Sequence, residues 1–219
     1  WRIPSIKLKY FYLIYPLLYL TTLIVGVSKY SKIKNSLNLK LFLIFIGYSF
    51  LTEISAVILG VFLGINTFPI YNTWILVNQF FFFFFFINLL QNSFKKYIVK
   101  FIIGLYALFT LIAISFYINF SGSYLSMNDI IGSILIVIVI LMYFSELLQS
   151  DKILNLNKSI YFWISLGVLL FNIGFIPVNI FAEFISFNGV FNIVAIFLNV
   201  LMAGCFITGF IVSKKDYNN

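Results

Sequence analysis

The chain is 219 residues long, 63% hydrophobic and only 9% charged, with a mean hydropathy of +1.09. A soluble globular domain carries about 25% charged residues, and no soluble core of this size hides so much apolar surface, so the solvent of this chain is lipid. The net charge of +8 does not indicate a nucleic-acid partner, because the basic residues edge apolar runs instead of gathering on one surface.

Seven apolar runs follow one another, each near the roughly 20 residues that a helix needs to cross the hydrocarbon. They are Tyr10–Tyr30, Lys40–Gly64, Pro69–Gln91, Ile98–Phe120, Asp129–Gln149, Ser159–Glu183 and Gly189–Ser213. No ten-residue alternation of a membrane barrel is present. The expected fold is all-α: a polytopic membrane protein of seven transmembrane helices in a single domain, residues 1–219.

Span one is too long for a signal-peptide apolar region and lacks a small-residue cleavage site. Span two holds the stretch GYSFLTEISAVILG, in which Glu53 falls near mid-depth. A carboxylate there costs roughly 2.5–3.5 kcal/mol to insert, so it faces protein or water and marks a candidate site. Ser49, Glu53, Ala56 and Gly60 share one helix face, opposite Leu51, Ile54 and Ile58. In span three, Asn72 and Gln79 are seven residues apart on one face with Asn78 beside it. The run Phe80–Phe86 fits A/T-rich codon usage filling a lipid-facing or packed helix.

Span four reads as a connector. In span five, Asp129 follows Ser126 and Asn128 and reads as a helix cap, and Glu146 reads as a solvated end near Lys152 or Lys158. Asn172 and Asn179 of span six are also seven apart, and Pro177 frees backbone carbonyls between them. Glu183 ends that span at the outer surface. In span seven, Asn188, Asn192, Ala195, Asn199 and Ala203 follow helical spacing along a single stripe. Trp1, Trp74 and Trp163 lie near span ends, as interfacial anchors do. Cys205 is the only cysteine, so no intramolecular disulfide forms.

Of the basic residues, all but Arg2, Lys7 and Lys9 fall at the inter-span loops of one side or after span seven. The positive-inside rule then puts the N-terminus out and the C-terminus in, and the lipid bilayer with its anionic headgroups is the first partner. A 120-residue offset maps span one onto five, two onto six and three onto seven, with Gly47 on Gly167, Asn72 on Asn192 and Lys32 on Lys152. That is the 3+1+3 layout of carriers built from parallel repeats.

Histidine is absent, which removes haem ligation, imidazole bases and the usual zinc sites. No cofactor or metal is expected. No Lys or Arg lies deeper in a span than its first or last turn, where Lys29, Lys40 and Lys100 fall, which removes a retinal Schiff base and arginine voltage sensing. Glu53 has no second carboxylate or histidine at matched depth, so an enzyme is not expected. The intramembrane polar residues read in two ways. Singly, they are interhelical hydrogen-bonding groups. Together, Glu53, Ser49, Asn72, Asn78, Gln79, Asn172, Asn179, Asn192 and Asn199 line an outward-opening pocket between spans two, three, six and seven, floored by Glu53 and rimmed by Glu183.

The segments IYFWISLGVLLFNIG (Ile160–Gly174) and IYNTWILVNQF (Ile70–Phe80) resemble short seven-helix membrane proteins of A/T-rich bacteria. Those proteins carry an FWI-x-x-G segment in span six and a YN pair opening span three, and tend to have a Glu where this chain has Gln79. They are similar to the membrane part of signalling receptors without an attached kinase, which implies a sensing role. The expectation is a receptor-like sensor of the inner (plasma) membrane, or of an organelle's inner membrane, that binds a small ligand or proton and signals through a membrane or signalling protein partner. The alternatives are a small-solute or proton-coupled carrier of 3+1+3 type and a subunit of a larger membrane complex.

Overall fold

The computed structural model describes residues 10–117, 119–184 and 188–218, with side chains except those of 10–11, 117, 151–153, 182–184 and 188–191. Trp1, Arg2, Lys7 and Lys9 lie outside the described residues. Every regular element within them is helical: α1 (Ile14–Ser28), α2 (Leu37–Ala56), α3 (Phe68–Leu89), α4 (Ser93–Ile112), α5 (Ser126–Leu148), α6 (Ile160–Phe184) and α7 (Asn188–Val212). Six of these are long and apolar enough to cross a membrane, so the chain is an all-α polytopic protein. The shorter α1 is led in by the 3-10 turn Tyr10–Leu13.

Local chemistry sets the boundaries. Ser36 caps α2, its Oγ accepting the Leu39 N–H at 3.3 Å. Asn92 caps α4 by accepting from Phe94 N at 2.9 Å and Lys95 N at 3.2 Å. This cap starts α4 at Ser93 rather than Ile98, so Lys95, Lys96 and Lys100 ride on its first turns instead of forming a loop. The α2 helix loosens into the π-helical stretch Val57–Phe62, and Gly64 at φ +68° turns the chain toward Pro69 in the first turn of α3.

The helices form a ring in the order α1, α2, α3, α5, α6, α7, closed by α7 against α1, while α4 packs on the outside against α3 and α5. The described lysines gather at the end where α1, α3, α5 and α7 finish. The phenylalanine run forms the core of that half. Phe82, Phe83, Phe85 and Phe86 are buried and only Phe84 faces outward. Phe81 stacks on Phe45 with centroids 4.2 Å apart, and Phe42 meets Phe206 edge-on at 5.0 Å. The closest seam is α6–α7. A Cβ on Gly167 would lie 2.9 Å from Cys205 Cβ, and one on Gly174 would lie 2.5 Å from Leu198 Cδ2. Small residues bring backbones together in this way where lipid gives helices no hydrophobic reason to associate.

The lysine-rich end is stitched together by polar contacts. Lys32 Nζ donates to the carbonyls of Phe210, Ile211 and Ser213 at 3.1, 2.7 and 2.7 Å, which satisfies the open end of α7. Asn218, 1% exposed, accepts the Ile160 N–H at 2.9 Å and donates to Lys32 O at 3.5 Å. The segment after α7 thereby ties the first loop to the start of α6.

Candidate functional site

In the half of the bundle away from the lysines, side chains of three elements converge on Asp129. The loop between α4 and α5 folds into the bundle mouth and is held there by Asn72 of α3. The Asn72 amide donates to Phe120 O and Ser123 O, both at 2.8 Å, and its Oδ1 accepts the Leu125 N–H at 3.0 Å. Asn66 adds a bond to Ser121 O at 2.5 Å. This clamp draws the start of α5 inward, so a residue in its first turn is enclosed.

Asp129 does not cap α5. The N-cap is Leu125, with no side-chain capping bond, and the aspartate is 5% exposed. Its Oδ1 accepts from Gln79 Nε2 of α3 at 3.2 Å. Its Oδ2 accepts from Tyr124 Oη at 3.1 Å and from Asn179 Nδ2 of α6 at 3.0 Å. All three donors are neutral. Burial, then the facing Asp129 charge, push the Tyr124 hydroxyl well above its ordinary value, so it keeps its proton and donates. The neighbouring Asn128 ties in α4: its amide donates to Thr110 Oγ1 at 2.9 Å and its carbonyl accepts from Tyr106 Oη at 3.3 Å. Gln79 Oε1 and Asn128 Oδ1 are buried without a hydrogen-bond partner among the described residues. The sequence signal for this hub is the stripe Asp129, Gly132, Ser133 and Ile136, all buried at i, i+3, i+4 and i+7.

Glu53 sits apart from that hub. It is half-buried on α2 and turned toward tyrosines: Tyr71 of α3 hydrogen-bonds it, and Tyr15 and Tyr19 of α1 lie within range of its charge. Tyr124 lies within electrostatic range of Asp129, Tyr71 and Glu53 alike, so tyrosines occupy the region between the two carboxyl groups.

A small cavity does lie among α1, α2, α3, α6 and α7, lined by Tyr19, Trp74, Asn78, Phe171, Asn172 and Met202 among others, but Glu53 is not on its wall. Its volume is about 10 Å³, the room of one water. Trp74 is not an interfacial anchor. Its Nε1 donates to the buried Ser49 Oγ at 3.2 Å, and its ring lines the cavity. Among the described residues, Asn172 and Asn199 donate back to their own helices, to Val168 O at 2.7 Å and Ala195 O at 2.8 Å, rather than across to a neighbour. Asn192 is exposed. The side chains of Glu183 and Asn188 lie outside the described residues. Glu146 accepts the Gln91 N–H at 2.7 Å and the Asn92 N–H at 3.2 Å just before α4, with Lys95 Nζ at 3.8 Å. Among the described residues its cationic partner is therefore Lys95 and not Lys158, and the side chain of Lys152 lies outside the described residues.

No family model matches the chain, and neither curated proteins nor solved structures give a match.

Proposed function

We propose that the chain is a receptor-like sensor of the inner membrane whose responsive element is the Asp129 hub with Glu53 beside it. The observation that carries this reading is a carboxylate 5% exposed whose hydrogen-bond donors, on α3, α6 and the 119–125 loop, are all neutral. Adding a proton or a small cationic ligand there changes the charge that these elements share, and so biases how α3, α5 and α6 sit against one another. A membrane partner that touches the bundle then reads the shift. The resemblance of Ile70–Phe80 and Ile160–Gly174 to short seven-helix bacterial proteins, which are in turn similar to the membrane part of signalling receptors, favours the same reading, since the first of those segments carries Tyr71, Asn72 and Gln79.

The test is a distance measurement between labels on the outer ends of α3 and α6 in the reconstituted protein, taken between about pH 4 and pH 9. The expected result is a pH-dependent change that Asp129→Asn abolishes and Glu53→Gln shifts. A wild-type distance that does not move across that range overturns the reading. A second reading, a small-solute carrier of 3+1+3 type, is favoured by the position of α4 outside a ring made of α1–α3 and α5–α7. Uptake of a labelled solute by proteoliposomes supports the carrier, and a sensor moves nothing.

A further inference from the structure

Outside α3 and α4, at the lysine-rich end, lies an open groove of about 360 Å³ lined by Phe84, Ile87, Asn88, Lys96, Lys100 and Ile103. Lys96 and Lys100 are four residues apart on α4 and therefore share one face. Neither ammonium makes a hydrogen bond or ion pair with any described residue, whereas that of the adjacent Lys95 is committed to Ser145 Oγ at 2.6 Å, Met142 O at 3.2 Å and Glu146 at 3.8 Å. Neither α3 nor α4 carries an acidic residue. One wall of the groove thus presents two cations with no counter-charge among the described residues.

Apart from Asn88, the rest of the groove is apolar. Asn88 and Lys96 stand nearest the helix ends, and Phe84, 55% exposed, and Ile103 lie further into the bilayer. A polar, positively charged mouth above an apolar floor fits a molecule with an anionic head and a hydrocarbon tail. A partner helix would meet two uncompensated ammonium groups in the contact, which a membrane interface disfavours. The end where the groove opens is also where anionic headgroups and lysines meet.

We infer that the α3–α4 groove binds one anionic phospholipid. Its phosphate sits between Lys96 and Lys100, and an acyl chain lies over Phe84, Ile87 and Ile103. The site is separate from the Asp129 hub, which meets α3 at Gln79, near the middle of that helix and on its buried face.

The full chain in detergent is titrated with phosphatidylglycerol and with phosphatidylcholine, and retained lipid is read by native mass spectrometry. The wild type is expected to prefer phosphatidylglycerol. Lys96→Gln with Lys100→Gln should lose roughly five-fold of that preference for each lysine removed. Lys214→Gln with Lys215→Gln removes the same charge from the same end and should leave the preference intact. Lys96→Arg with Lys100→Arg should keep it, and equal helical circular dichroism in all variants checks the fold. Equal loss in both glutamine pairs means general surface attraction and overturns the site, as does a wild type with no preference. Displacement of the lipid by inorganic phosphate at equal concentration reduces it to a simple anion contact and overturns it too.

Discussion

Gln79 of α3 donates its side-chain amide to Asp129 of α5 at 3.2 Å, and Gly132, one turn further along α5, leaves the space in which it does so. A Cβ at residue 132 would lie 2.6 Å from Gln79 Cδ, inside contact distance. Gly132→Ala is therefore expected to push Gln79 out of register and cost about 1–3 kcal/mol. Adding Gln79→Ala should recover part of that loss, because the two changes share one space. Denaturant unfolding in mixed micelles measures both, and strictly additive costs would refute the coupling.

The two intramembrane carboxylates should differ in structural weight. Asp129→Ala strands donors from Gln79, Tyr124 and Asn179 and is expected to cost about 3 kcal/mol. Glu53→Ala frees one tyrosine at a half-buried position and should cost about 1 kcal/mol. The reverse ranking in thermal unfolding would place the hub on α2.

The asparagines separate along the same lines. Asn72→Leu removes two bonds to loop carbonyls and the acceptor of the Leu125 N–H, so about 2–4 kcal/mol is expected, with faster proteolysis of the 119–125 loop. Asn199→Leu breaks only a bond to its own helix and should stay within about 0.5 kcal/mol of wild type. A large loss for Asn199→Leu would mean that it binds a neighbouring helix.

Lys32 supplies a pH signature. Burial, and then the charge of Lys29, lower its value in the folded protein below the ordinary 10.5. Between that lowered value and 10.5 the unfolded chain binds more protons than the folded one, so stability contributed at this position rises with pH through the window. The stability difference between wild type and Lys32→Met should grow toward alkaline pH, read from melts at matched buffers. A difference independent of pH would show that the ammonium pays no penalty for its place under α7.

Much of the architecture could be read from residue order alone. The apolar runs give the six long helices because the bilayer demands length, and the lysines mark one end because charge stays out of hydrocarbon. What composition hid was depth. Asp129 follows Ser126 and Asn128 at the head of an apolar run, as a capping residue does, yet the loop before it is pulled inward by Asn72, which no local pattern encodes. Glu53 drew attention because it is flanked by aliphatic residues, whereas its tyrosine neighbours come from α1 and α3, far away in sequence. Asn172 and Asn199 show how side-chain direction escapes a spacing argument. Their spacing suggested partners on other helices, but an amide can always turn back on its own carbonyl ladder.

The contact between Lys32 and the end of α7 also has a bearing on the order of events during synthesis. A chain made from its N-terminus threads the first helix into the bilayer while the carbonyls of Phe210, Ile211 and Ser213 have not yet been polymerised. The flank of α1 around Gly26, which in the finished protein meets Leu43 and Phe210, must wait half-covered through the insertion of six more segments. Closure of the ring therefore waits until α7 has been made, and until then that flank of α1 stays open to another membrane segment.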